Sequence, residues 1–221
     1  MSNECVEAAE FAAYIPQQIV MIAQLLICIY AIVINVQFIV RWRNNLLFHV
    51  NFQILLWTLI LLNITHAVFV ALSQGVHLYK IYMTQDVCDV PVPATFCYSV
   101  RMPATSCFFT QTLVHISIVI ERAMALKNLS NYESRSSAAG KLMAVLSIVI
   151  GFAVIIVIMN QYDFTRNELY CSPVTKETRV NFSIASYSFI PVEALIVACF
   201  YSVYRANKKQ VYVSEIIIML R

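Results

Sequence analysis

Five stretches of this 221-residue chain stay apolar for roughly 20 residues or more, about the length that crosses a hydrocarbon core of ~30 Å. A segment in lipid has no water to satisfy its backbone, so each stretch must be a helix or part of a closed barrel. Barrel strands would be shorter and would alternate polar with apolar residues, and these do not. With 60% hydrophobic and 12% charged residues and a mean hydropathy of +0.72, the chain lies outside the soluble range. The expected fold is an all-α membrane protein with five transmembrane helices.

The spans are expected at about 17–40, 46–72, 96–124, 141–161 and 181–204. Residues 1–16 form a tail before the first span, 17–204 the membrane domain, and 205–221 a tail after the last. Pro16 suits the start of the first helix. The opening "MSNECVEAAEF" holds three Glu and no Lys or Arg, so no cleavable signal peptide is expected. Basic residues fall unevenly. Arg41, Arg43, Arg122, Lys127, Arg135, Lys141, Arg205, Lys208 and Lys209 lie on one side. The other side mixes Lys80, Arg101, Arg166, Lys176 and Arg179 with eight acidic residues. The positive-inside rule puts the first set in the cytoplasm and the amino terminus outside. The net charge of +3 then concerns the membrane and carries no implication of nucleic acid.

Of seven cysteines, Cys28, Cys107 and Cys199 fall inside spans, where a thiol serves as a small hydrophobe. Cys5, Cys88, Cys97 and Cys171 all fall on the expected outside. Four cysteines in an oxidising compartment suggest disulfides, with three pairings open.

The third span carries the most informative pattern. It has a cysteine near its outer start and Glu121-Arg122 at its inner end, with Arg122 lying 25 positions beyond Cys97. At 1.5 Å per residue that is about 37 Å, a whole bilayer. With "LLFHVNFQILLW" opening the second span, "CDVPVPATFCYSVRMP" at 88–103, "VIERAMAL" at 119–126 and "NYE" at 131–133, the chain resembles a seven-helix G-protein-coupled receptor. More closely, it resembles the nematode serpentine chemosensory receptors of class AB (Srab), related to the Sra, Srb and Sre classes. The five spans then correspond to helices 1–5 of a rhodopsin-like bundle. The resemblance implies a Cys97–Cys171 bridge pinning the fourth-to-fifth-span loop over the third helix, with Cys5 and Cys88 as a second pair. It assigns Arg122 the role of G-protein-coupling switch, restrained by Glu121. It also implies a small-molecule odorant or pheromone, a heterotrimeric G protein, a plasma-membrane location in sensory cilia, and no cofactor or enzyme activity.

A ligand is expected among the outer halves of the helices. Arg101, Thr105, Phe108, Thr112 and His115 repeat at helical spacing along one face of the third span, and Arg122 continues it. Arg101 can snorkel to headgroups or counter an acidic odorant. His115 lies too deep for a ligand and is expected to be packed and hydrogen-bonded. Glu193, two residues after Pro191 in the fifth span, is costly at membrane depth unless paired or protonated. It is the remaining pocket candidate. Asn35, Asn51, Asn63 and His66 are expected to bridge the first two helices, and Asn181 is the one sequon near the outer surface.

The chain departs from the seven-helix pattern by ending after five spans, so a truncated receptor is expected, including one that associates with complete receptors without signalling. Among rivals, a transporter would show repeats and paired helix breaks. A membrane enzyme would cluster its His, Asp or Glu, whereas His49, His66, His77 and His115 are scattered and suggest no metal site.

Overall fold

The computed structural model describes residues 3–42, 48–127, 136–160, 162–165, 167–172, 174 and 178–219, with side chains described between residues 5 and 208 of these. Arg43, Asn128, the Asn131-Tyr132-Glu133 motif, Arg135, Arg166, Lys176 and Lys209 lie outside that description. Among the described residues there are six α-helices: α1 (Asn3–Ala13), α2 (Ile15–Trp42), α3 (Val50–Met83), α4 (Ala94–Lys127), α5 (Ala138–Ile158) and α6 (Arg179–Met219). The helices α2 to α6 are each long and apolar enough to cross a membrane.

The spans sit where hydropathy puts them, but their ends do not. The acidic tail contains a helix of its own, α1. α3 runs on to Met83, eleven residues beyond its expected end at 72. That extension, "SQGVHLYKIYM", is too polar to read as a span, yet no residue in it forbids helical dihedrals. Lipid selects the middle of a helix by hydropathy, and a helix can project beyond the hydrocarbon with polar residues. α6 likewise continues past 204 to Met219. Both Pro103 and Pro191 lie inside continuous helices.

α4 is the central strut. It packs on α3, α5 and α6, and 56% of its most apolar stretch is buried, against 6–28% for the other four spans. Leu55 and Leu62 of α3, Cys107, Val114 and Ile118 of α4 and Ala144 of α5 form one core. Phe109 of α4 forms a second with Ile155 and Ile158 of α5, and reaches Phe189 of α6 edge-on at 4.5 Å. Within lipid the hydrophobic effect does not drive helices together, so close approach through small residues and cross-helix hydrogen bonds matter more. α5 shows this along one stripe. Gly140, Ala144, Ser147 and Gly151 are all buried at helical spacing. The Gly140 amide donates to Asn51 Oδ1 at 3.1 Å, and Ser147 Oγ lies 3.3 Å from Ser117 Oγ of α4.

A Cβ at Gly140 would lie 2.7 Å from the Asn51 Cα and 2.8 Å from its carbonyl oxygen, both backbone atoms that cannot swing away. Gly140→Ala is therefore expected to destabilise by about 1–3 kcal/mol through overpacking. Gly75→Ala meets nothing within 4 Å and should be neutral or stabilising by about 0.4–1 kcal/mol. Thermal unfolding of the two variants in detergent compares them; equal behaviour would contradict the close α3–α5 approach.

The expected bridges between the first two spans are not the ones observed. Asn35 bonds within its own helix, to the Ala31 carbonyl; Asn51 ties α3 to α5; His66 Nδ1 lies 2.9 Å from the Ala104 carbonyl of α4. The α2–α3 bonds run instead from Gln74 to Gln24 and from Tyr82 to Gln18. Their side chains sit in the part of α3 that the sequence reading leaves as loop.

Candidate functional site

Both disulfides lie at one end of the bundle. Cys97, at the start of α4, is bonded to Cys171, and both are fully buried. The 167–172 segment is held there a second time, because Asn167–Glu168 pairs antiparallel with Val92–Pro93 just before α4. Cys5 of α1 is bonded to Cys88 in the turn Val87–Asp89, which anchors α1 over the same end. Tyr98, Tyr162 and Phe164 stack at centroid distances of 5.0–5.4 Å beside it. Burial, with the Glu168 carboxylate nearby, pushes the Tyr162 phenol up to about 12.

Beneath this cover lies a polar cluster centred on Tyr170, the residue before Cys171. Its hydroxyl accepts from Arg101 at 3.1 Å and from Gln74 Nε2 at 2.9 Å. The Arg101 guanidinium also lies 5.4 Å from the Tyr170 ring centroid, within cation–π range. The Gln74 amide donates as well to Gln24 Oε1 of α2, at 2.6 Å. His77, 1% exposed, accepts the Cys171 N–H at Nε2 and packs its ring 5.3 Å from Tyr170. The ligand atoms of His77, Cys97 and Cys171 lie within 4.8 Å of one another. The disulfide and the accepted N–H already use those atoms.

The expected face of α4 exists, but its residues meet different neighbours. Arg101 joins the Tyr170 cluster. Thr105 is buried, and Phe108 is 48% exposed, turned to the bundle's outside. Thr112 donates a hydrogen bond to Glu193 Oε1 of α6, and His115 Nδ1 lies 3.8 Å from Glu193 Oε2. Arg101 and Glu193 thus belong to two clusters along α4, rather than to one pocket.

At the opposite end of α4, Arg122 Nε lies 2.9 Å from Glu121 Oε2. Glu121 is fully enclosed, while Arg122 is 29% exposed and lies 3.8 Å over the ring of Phe52 and 5.6 Å from that of Phe48. His49, just before α3, is near enough to act electrostatically on Glu121. The second span's start therefore supplies an aromatic seat for the guanidinium.

Gln74, His77 and Tyr170 are the site residues that sequence reasoning missed. The spacing 73, 74, 77 in a helix-compatible stretch was the available signal, since all three positions share a buried face of α3. Tyr170 carried only its adjacency to Cys171.

A family model described as the serpentine-type seven-transmembrane G-protein-coupled receptor class AB chemoreceptor matches residues 2–215. Searches of the curated proteins and of the solved structures found no match. The match covers nearly the whole chain, including both cysteine pairs and the Glu121-Arg122 end of α4. This multi-pass, all-α membrane protein belongs to the class AB serpentine chemoreceptor family.

Proposed function

We propose that the chain is the ligand-sensing and G-protein-contacting part of a plasma-membrane receptor for an odorant or pheromone, with its disulfide end outside. The observation that carries this reading is the architecture of α4. One buried helix starts at the Cys97–Cys171 bridge and ends at the Glu121–Arg122 pair. Disulfides belong to the oxidising side. Arg41, Lys127, Lys141, Arg205 and Lys208 flank the other end and favour the cytoplasm. A ligand among the outer halves of the helices shifts how α4 packs on α3 and α6. That shift draws Arg122 off Glu121 and toward a G protein, a local charge rearrangement read out across the membrane. Such a chain transduces a signal and has no need of a cofactor. Sensory cilia are where this chemistry is useful.

Glu193 supports a companion reading. Its side chain is 42% exposed on the face of α6, where a carboxylate in contact with lipid is costly. Further helices cover that face, from the same receptor or from another receptor with which the chain associates. The test measures nucleotide exchange by heterotrimeric G protein on membranes carrying the chain. Exchange that rises with the chain, and is lost in Arg122→Ala at equal surface level, is expected. Exchange indifferent to Arg122 contradicts a switch role, and absent exchange with co-purification of a second receptor favours the companion reading.

A further inference from the structure

We infer that the polar cluster around Tyr170 takes a small organic acid, its carboxylate held by Arg101. This rests on the reading of the disulfide end as a ligand site and names the ligand's chemical class.

His77 accepts the Cys171 N–H at Nε2, so the neutral ring carries its proton on Nδ1, and that buried nitrogen has no partner. Arg101 Nε–H is buried without a partner too. The Tyr170 oxygen accepts twice, from Arg101 and Gln74, which leaves its own O–H to donate. Against these donors stands Gln74 Oε1, a buried acceptor without a partner, and the neighbouring Ser73 hydroxyl, also buried without a partner, can accept as well as donate. Gln74 and His77 are 0% and 1% exposed, so bulk water does not settle the account. The Arg101 guanidinium is half-buried and held against the Tyr170 ring and hydroxyl. Among the described residues no carboxylate lies within ion-pair distance of it; the two recorded ion pairs are at His115–Glu193 and Glu121–Arg122.

A guanidinium with surplus donors and no acid beside it calls for an acceptor-rich anion. Buried polar groups are otherwise satisfied as a rule, so orphans gathered around one cation mark missing chemistry. The free acceptor Gln74 Oε1 suits a hydroxyl or N–H carried by the acid. An amine or a plain hydrocarbon would leave the donors unpaired and meet a positive charge.

The test uses the full chain in detergent and follows its thermal unfolding with straight-chain fatty acids from acetate to decanoate and with their methyl esters. Acids should raise the unfolding midpoint with half-saturation roughly 10- to 100-fold below that of the matched esters, as expected for a charge-assisted bond. Arg101→Gln should abolish the preference, and Arg101→Lys, which keeps the charge, should retain part of it and controls for folding. Acid and ester acting equally would overturn the acid class while leaving a ligand site at this end. Acids stabilising Arg101→Gln as well as the parent, or no acid stabilising the parent, would overturn the inference. Neither of those results bears on the G-protein exchange assay.

Discussion

Replacing Cys97 or Cys171 by serine is expected to destabilise the bundle by about 2–4 kcal/mol and to remove most of the protein from the cell surface. The bridge closes a separation of 74 residues, and a loop of that size in a soluble chain would give about 4 kcal/mol by chain entropy. The lower bound applies here because helices still inserted in lipid restrict the unfolded chain already. The structural consequences reach further than the loop. Cys171 presents its N–H to His77, and its neighbour Tyr170 organises Arg101 and Gln74, so releasing the strand dismantles the whole cluster. Cys5→Ser should behave differently despite its sequence separation of 83 from Cys88. α1 packs on the Val87–Asp89 turn and not broadly on the bundle, so its loss is a local opening. Limited proteolysis should cut within residues 3–13 of Cys5→Ser while the spans stay intact. Equal loss of surface protein in the Cys5 and Cys97 variants would contradict this difference.

The second large effect is an asymmetry at the other end of α4. Arg122→Ala should cost about 2–4 kcal/mol, and Glu121→Gln about half of that. Breaking a fully buried pair by deleting one partner costs roughly 3–5 kcal/mol, because the survivor's charge stays desolvated. Deleting Arg122 removes the adjacent cation from a carboxylate that is 0% exposed, whereas deleting the Glu121 charge leaves a guanidinium that is 29% exposed and still seated on Phe52. Water and the aromatic face both compensate it. In the proposed role the two variants also diverge in signalling. Glu121→Gln frees Arg122 and should raise ligand-free nucleotide exchange, while Arg122→Ala should silence it. Chemical unfolding and exchange rates on the same preparations check both statements; equal destabilisation together with equal exchange would refute them.

Much of this was legible in the sequence because lipid imposes a simple rule. Runs of apolar residues located all five spans, and the distance from Cys97 to Arg122 marked α4 as a helix crossing the whole bilayer. The same rule hid the Tyr170 cluster. Ser73, Gln74 and His77 are polar, so hydropathy assigns them to a loop, yet all three are buried, with Gln74 bonded to Gln24 and Tyr170 and His77 to Cys171. Hydropathy measures affinity for lipid, and a polar helix face turned inward has none. The candidates from Arg101 to His115 share helical spacing, yet Phe108 is exposed while Thr105 and Thr112 are buried. Their division between the Tyr170 and Glu193 clusters depended on partners from a loop strand and from α6, which periodicity within one helix cannot supply. The seat of Arg122 on Phe48 and Phe52 was hidden for the same reason.

Labelling from the two sides of the membrane tests the central claim, that α4 carries a ligand end outside and a switch end inside. Ser136, exposed just before α5, and Thr165, exposed just before the Asn167–Glu168 strand, sit at opposite ends of the bundle. Ser136→Cys and Thr165→Cys would be treated with a membrane-impermeant maleimide on intact cells. The account predicts that Thr165→Cys reacts at once and Ser136→Cys only after permeabilisation. Reaction of Ser136→Cys on intact cells would contradict it.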